Sequence, residues 1–303
     1  MTFRTFVPAE IEAALDRRYV VGQQIAVGGQ GAVFAATRNS RRDGTAANDA
    51  VALKLHFDPR QAIRVEREVT ALENLSHPNL ARLIEYGHCY VADRKTRYIA
   101  YEFIEGNTLR QRLKTGGRLM ESEVLPIGRD IAAAIAVLWS QKIVHGDIKP
   151  SNIMLRESGE AVLIDLGILS FFEEDRATRP LRPVSNFAPE RWGSAGYLSP
   201  EQARGEKLTC ASDIFSLGVV MLECLQGWHP TNGSQSALAH GIQPGELRLD
   251  ITPGLRNVLD KMVLATPGSR GNVTKLSSYF QVLLERTAQE LASGRQVRKT
   301  KSH

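Results

Sequence analysis

The 303-residue sequence predicts an α+β fold with strands first and helices after. Three observations carry this. Between Tyr19 and Glu102 the pattern is mostly that of strands, interrupted by a single amphipathic helical stretch. From residue 108 onward helical spacing dominates, above all over 121–141 and 212–222. Between those helices lie two short apolar runs, Ile153-Met154-Leu155 and Ala161-Val162-Leu163-Ile164. They flank a polar tip, Arg156-Glu157-Ser158-Gly159-Glu160, and together read as a β-hairpin.

The chain is 43% hydrophobic, enough for one large core or two lobes. Its three cysteines, Cys89, Cys210 and Cys224, are scattered without disulfide or metal spacing, which fits a reducing compartment. The first residues, Met1-Thr2-Phe3-Arg4-Thr5-Phe6, lack the apolar run of a signal peptide. The longest apolar runs, such as 131–139, are too short to span a bilayer. The expectation is a cytoplasmic protein without a membrane span. Much of the net charge of +5 comes from Arg295, Arg298, Lys299 and Lys301 near the C-terminus. Residues 286–303 are expected to be a disordered, solvated basic tail. No aromatics are interleaved there, so nucleic acid is not expected as a partner.

Residues 1–18 read as a polar extension with a short helix over 8–17. Ile25-Ala26-Val27-Gly28-Gly29-Gln30-Gly31-Ala32-Val33-Phe34 reads as two strands joined by a glycine-rich turn. Such a turn is either an ordinary hairpin or a loop whose amides approach phosphate oxygens. A polar loop over 39–49 precedes the alternation Val51-Ala52-Leu53-Lys54-Leu55-His56-Phe57, which puts Ala52, Lys54 and His56 on one face. Asp58-Pro59 is a helix start, with Asp as cap and Pro at the first position. The helix should run to about residue 75, with Val65, Val69, Leu72 and Leu75 on its apolar face. Glu68 falls within that face, whereas Glu66 and Glu73 do not. A carboxylate on the buried side needs a partner, and Lys54 is the candidate. Strands follow over 80–86 and 97–102, then helices over 108–114 and 121–141. Val124, Ile127, Ile131, Ile135 and Leu138 make the core face of the second helix. In the hairpin, Asn152 precedes the first strand and Asp165 follows the second, so both lie at its open end. Asp147 lies just upstream. Hard oxygens of this kind suit Mg²⁺. Residues 168–195 are irregular and polar, and a loop this long within a compact domain is usually functional.

His145-Gly146-Asp147-Ile148-Lys149-Pro150-Ser151-Asn152, followed by Asp165-Leu166-Gly167, resembles the catalytic loop and metal-binding hairpin of eukaryotic-type (Hanks-type) serine/threonine protein kinases, in the form of a prokaryotic member. The resemblance implies a two-lobed protein kinase fold with ATP and Mg²⁺ between the lobes. It implies Asp147 as the base that orients the acceptor hydroxyl, and Lys149 as a charge near the transferred phosphoryl. Asn152 and Asp165 become Mg²⁺ ligands. In the glycine-rich loop, Gly28 and Gly31 stand as the second and third family glycines, and Ala26 replaces the first. Val27 and Val33 complete that part of the nucleotide site. Val51-Ala52-Leu53-Lys54 resembles the family's V-A-I-K, which implies that Lys54 reaches the α/β-phosphates and pairs with Glu68. Ala52 leaves room for the adenine.

Ile99-Ala100-Tyr101-Glu102-Phe103-Ile104-Glu105-Gly106 resembles the family's hinge. This puts Tyr101 at the gatekeeper position, closing much of the pocket behind the adenine, and the backbones of Glu102 and Ile104 on its edge. Residues 168–195 sit where the family places its activation segment. Ser194-Ala195-Gly196-Tyr197-Leu198-Ser199-Pro200-Glu201 resembles its end, with Ser194 for the usual Thr and Ser199 for an Ala. Asp213 is implied to brace the catalytic loop, and Arg270 to pair with Glu201. The kinase domain is expected over 19–285: N-lobe 19–101, hinge 102–106, C-lobe 107–285. Gly146 stands where kinases switched by loop phosphorylation mostly carry Arg. The implied activity is transfer of the ATP γ-phosphoryl to Ser or Thr of protein substrates, the chain itself included. Two alternatives are a regulatory pseudokinase and a small-molecule phosphotransferase. Retention of Lys54, Asp147 and Asn152 speaks against the first. The peptide-binding segment through Glu201 speaks against the second.

Overall fold

The structure is a computed structural model that describes residues 6–28, 31–39, 50–57, 62–73, 75–165, 170–171, 196–232, 234, 240, 242 and 249–300. The chain divides into two compact units. One spans Met1–His77 and Ala81–Glu105, the other Pro78–Leu80 and Gly106–His303.

The first unit is a five-stranded antiparallel sheet in the order β1-β2-β3-β5-β4. Its strands are β1 Tyr19–Gly28, β2 Gly31–Arg38, β3 Ala50–His56, β4 Leu83–Val91 and β5 Arg94–Glu102. The helices are α1 Pro8–Ala14 and α2 Ala62–Glu73. Alternation splits the sheet as the sequence predicts: Val51, Leu53 and Leu55 are buried on one face, with Phe34, Tyr98 and Ala100 beside them. Helix α1 covers this face. Its Ile11, with Leu15 and Tyr19 just after it, belongs to the same core, and Phe6 stacks on Phe57 with ring centroids 3.9 Å apart. The extension, with its short helix, thus adds Ile11 and Leu15 to the sheet's packing. Glu85 ties the extension down by accepting hydrogen bonds from the hydroxyls of Tyr19 (2.8 Å) and Tyr98 (2.6 Å) and pairing with Arg18. Strands β4 and β5 run longer than predicted because their connection is Ala92-Asp93, both at positive φ (48° and 63°). That is a tight two-residue hairpin turn, made here without the glycine or asparagine that marks one in a sequence.

The second unit is mostly helical. It begins with β6 Gly106–Thr108, α3 Leu109–Gly116 and α4 Glu121–Ser140. Next come β7 Ile143–Val144, β8 Ile153–Arg156, β9 Ala161–Leu163 and β10 Ser170–Phe171. It closes with α5 Pro200–Ala203, α6 Cys210–Gln226, α7 Pro253–Met262 and α8 Val273–Thr300. Thr108 caps α3 in a reciprocal capping box with Gln111. Helix α6 is the axis of the unit. Residues 212–226 are all buried, which is why its sequence is apolar nearly all round. Thr209 caps its start, and Gly227 ends it at φ 87°, a left-handed position that glycine adopts freely. Helix α8 continues without a break to Thr300. The stretch expected as a disordered tail therefore has helical backbone to residue 300. Residues 286–292, Arg-Thr-Ala-Gln-Glu-Leu-Ala, contain no proline and are mostly good helix formers, which outweighs the polar composition. Among the described residues no helix is long and apolar enough to cross a membrane.

Candidate active site

The predicted catalytic loop lies between β7 and β8, and α6 positions it. Asp213, in the first turn of α6, accepts hydrogen bonds from the amides of His145 (2.9 Å) and Gly146 (2.8 Å). Full burial pushes its carboxyl up to about 7, and nearby Glu201 adds to the shift against the two amide donors. Gly146 has φ 74°, a left-handed conformation that a side chain would disfavour. Its carbonyl accepts from the Gln202 side chain at 2.9 Å, and the Asp147 amide donates to His145 Nδ1 at 3.1 Å. The loop is thus fixed at three successive residues.

This fixing gathers three of the predicted residues. Lys149 Nζ donates to Asp147 Oδ2 at 2.7 Å. Asn152 Nδ2 donates to the same oxygen at 3.2 Å and to the Asp147 carbonyl at 3.0 Å. Asp147 and Asn152 are each 5% exposed. The side-chain amide nitrogen of Asn152 is committed to Asp147, so its Oδ1 is the atom that could serve a cation.

The hairpin carries that oxygen to the same end as Asp165. Ile153 pairs with Leu163, and the Ile164 amide donates to the Asn152 carbonyl at 2.8 Å. Asp165 follows at φ 60°, again left-handed. Two residues that sequence reasoning did not single out hold β9 in place. Asp130, on α4, accepts from the Ala161 amide at 2.9 Å. Asn79 donates to the Ala161 carbonyl at 2.8 Å, and its own carbonyl accepts from Leu163 at 2.9 Å. The available signal was Asp130 itself, a carboxylate inside the buried side of an apolar helix. An amide oxygen and a carboxylate are hard donors that fit Mg²⁺. Among the described residues no cluster of three or more His, Cys, Asp or Glu forms a self-sufficient metal site. Few protein ligands, completed by phosphates and water, is the Mg²⁺ pattern.

In the first unit, Lys54 Nζ lies 3.3 and 3.4 Å from the two carboxylate oxygens of Glu68. Both residues are buried. Tyr101 donates its hydroxyl to Glu68 Oε1. The register Ala26↔Val33↔Lys54, with Ala52↔Tyr101 beside it, sets these candidates on one sheet face, opposite α1. Gly28 pairs with Gly31 across the hairpin. Gly31 has a packing reason to be glycine: a Cβ there would stand 1.8 Å from the Leu55 carbonyl oxygen. At the predicted hinge, the Glu102 amide donates to the Arg82 carbonyl at 2.9 Å, and Ile104 is buried.

Glu201 and Arg270 form a two-pronged ion pair at 2.6 and 2.8 Å. Ser199, the departure noted in the sequence, caps α5 through a reciprocal box with Gln202. Nearby, Tyr197 donates to Glu223 at 2.6 Å and contacts Arg110, a network the sequence did not announce. Ser194, Leu166, Gly167, Asp58, Pro59 and most of the predicted activation segment lie outside the described residues.

Residues 19–289 match the family described as protein kinase domain. The chain is similar to a probable serine/threonine-protein kinase PknB of Lactococcus lactis, with 29% identity over 82% of this chain and 38% of that protein. It is 31% identical to the serine/threonine-protein kinase PknB of Mycolicibacterium smegmatis, over 84% of this chain and 41% of that one. To the serine/threonine-protein kinase PknA of Mycobacterium tuberculosis it is 29% identical, over 86% and 59%. The chain thus spans between about two fifths and three fifths of the length of these curated relatives. With a match over most of its length, the chain belongs to the protein kinase family, and its relatives are bacterial serine/threonine kinases.

Proposed function

We propose that the chain transfers the γ-phosphoryl of ATP to serine or threonine hydroxyls of proteins, itself included. The observation that carries this reading is the Asp147 carboxylate, buried and held by Lys149 and Asn152 on a loop that Asp213 fixes. Phosphoryl transfer asks the protein for positioning and charge more than for covalent chemistry. Asp147 orients the acceptor hydroxyl and takes its proton. Lys149 offsets charge on the transferred group. Lys54, with Glu68 behind it, binds the α/β-phosphates. Gly28, Gly31, Ala26, Val27, Val33 and Ala52 make the nucleotide's surroundings, and Glu102 and Ile104 its hinge contacts. Asn152 and Asp165 would hold Mg²⁺, which when bound neutralises phosphate oxygens. The catalytic domain is assigned to 19–285. A cytoplasmic setting fits the three free cysteines, of which Cys89 and Cys224 are buried.

The pseudokinase reading is disfavoured because Lys54, Asp147, Asn152 and Asp165 are all retained. Incubation with labelled ATP and Mg²⁺, beside Asp147→Asn and Lys54→Met controls, tests the assignment. Transfer to the chain or to an added protein should disappear in both variants. Undiminished labelling of both would overturn the assignment of these residues.

A further inference from the structure

The gatekeeper position carries a hydroxyl that the mechanism above leaves without a task. We propose that Tyr101 is a positioning residue for phosphoryl transfer, its hydroxyl holding the Glu68 carboxylate so that Lys54 is presented to the nucleotide at a defined place. The proposal rests on the kinase reading of Lys54 and Glu68 and adds to it a third member of the pair.

The geometry follows from register. Tyr101 lies opposite Ala52 on the neighbouring strand, and Lys54 is two residues further along β3. Their side chains are therefore diagonal neighbours on one sheet face, within reach of a long side chain. Strand β5 lies between β3 and β4, and Tyr101 is paired on both sides, with Ala52 and with Leu83. The backbone that carries this phenol is thus fixed by the sheet. Helix α2, which carries Glu68, has other polar ties to the sheet, but they are exposed or weak. Glu73 meets Tyr86 at 2.9 Å in solvent, and Glu66 meets Arg97 at 3.6 Å. Among the described residues, the tie through Glu68 is the buried one.

Two donors meet on Glu68. A tight ammonium–carboxylate hydrogen bond is about 2.7–2.9 Å. Lys54 stands at 3.3 and 3.4 Å, nearly equidistant from both oxygens, whereas Tyr101 donates to Oε1 alone. The phenol sets where the carboxylate stays, and the ammonium faces it without being locked to one oxygen. A fully buried carboxylate that lost the phenol would close onto Lys54 or turn toward another donor. Either movement takes the ammonium away from its place. Phenylalanine would keep the ring and its packing and remove only the donor.

The experiment is a double-mutant cycle over Tyr101→Phe and Glu68→Ala. Four full-length proteins are compared: wild type, each single variant and the double variant. The readouts are kcat/KM for ATP on an added protein substrate, Kd for Mg·ATP by titration, and Tm as a check on folding. Tyr101→Phe should lower kcat/KM about tenfold in the wild-type background and by less than about twofold where Glu68 is already alanine, with Tm within a few degrees. A Phe variant as active as wild type would overturn the proposal. So would an equal loss in both backgrounds, which would show packing at work instead of the hydroxyl. Absence of phosphoryl transfer in the wild type would sink the kinase reading, and the cycle is then read in Kd alone. Coupled Kd changes would uphold Tyr101 as the anchor of Glu68, and additive ones would overturn it.

Discussion

Among the described residues, each of the two compact units has one ion pair with both side chains buried, and the two are built differently. In the second unit Arg270 is 1% exposed and uses all five guanidinium N–H groups. Two go to Glu201, and the others to the carbonyls of Leu264, Ala211 and Ala265. Ser212 donates to Glu201 at 2.8 Å, and the guanidinium lies 4.8 Å from the Phe215 ring centroid. In the first unit Lys54 meets Glu68 at 3.3 and 3.4 Å, and the Tyr101 phenol donates to the same carboxylate. Burying two charges is costly unless their hydrogen bonds are satisfied. The Arg270 pair meets that demand in full and so can act only as a rivet, joining α5 to the segment before α8. The Lys54 pair has longer contacts, at 3.3 and 3.4 Å, and under the kinase reading proposed above its ammonium has a phosphate to meet as well. A pair that must exchange partners cannot be bonded as completely as one that never does.

The largest expected effect breaks the rivet. Arg270→Met should cost about 3–5 kcal/mol in unfolding free energy, because it leaves Glu201 charged and buried without its partner. Arg270→Lys should rescue little of this, since an ammonium cannot reproduce a planar fork of five donors. Lys54→Met should do the opposite: phosphoryl transfer lost, with a smaller loss of stability. Urea unfolding of the three variants checks the contrast. Equal destabilisation by Arg270→Met and Lys54→Met would erase the distinction between the pairs.

A second, smaller effect concerns pH and lies beside the rivet. Asp213 is pushed up to about 7 by burial, with Glu201 adding to the shift. Its folded-state pKa lies above the ordinary carboxylate value, so the native chain holds a proton that the unfolded chain releases. Stability therefore falls as pH rises from about 4 to about 7. Glu201 is shifted the other way: its own burial opposes ionisation, but Arg270 leads the effects that hold its carboxyl below the ordinary value. Its contribution is present above about pH 4.5 and is lost only as pH falls further. The two windows barely overlap. Between pH 5 and pH 8 wild type should lose about 2–3 kcal/mol more stability than Asp213→Asn. Parallel denaturation profiles for the two proteins would show that Asp213 does not titrate in this range.

These residues also show where the sequence was legible. Asp147, Lys149 and Asn152 could be read as a group because they are five residues apart at most, and the loop that gathers them is continuous in the chain. Glu68 could be matched to Lys54 because helical periodicity leaves this one carboxylate on an apolar face, where it needs a partner, and the preceding strand offers a lysine. Resemblance alone put Tyr101 at a gatekeeper position; its hydrogen bond to Glu68 was not legible, because neither periodicity states which way a phenol points. Gln202 reaching Gly146, Asn79 and Asp130 holding Ala161, and Glu85 gathering Tyr19 and Tyr98 join residues distant in sequence. No local pattern encodes them. The same holds for Ile11 and Leu15, too few apolar residues to mark a short helix as core until the sheet face they cover is known. At the other end, the basic composition of residues 286–303 led the reading to a tail, whereas the backbone of residues 286–300 is helical.

The smallest expected effect tests how the catalytic loop is held. A phosphorylated activation segment commonly acts through an Arg beside the catalytic Asp, whose guanidinium binds the phosphate and orders the segment. Here that position is Gly146, at φ 74°, and it offers no side chain to a phosphate of charge about −2. The loop's order comes instead from within its own unit. Asp213 takes the amides of His145 and Gly146, and Gln202 takes the carbonyl of Gly146. None of these bonds needs a phosphate. Ser170 pairs with Val144 at the start of the predicted segment, while Thr178 and Ser185, like Arg176, Arg179 and Arg182, lie outside the described residues. Arginines within the segment would move with it and so order it less than a fixed one. Turnover of an added substrate by the combined Ser170→Ala, Thr178→Ala and Ser185→Ala variant should therefore stay within about tenfold of wild type, roughly 1.4 kcal/mol in barrier. A larger fall with an unchanged Tm would mean that a phosphate orders this segment after all, with its cation supplied from somewhere other than residue 146.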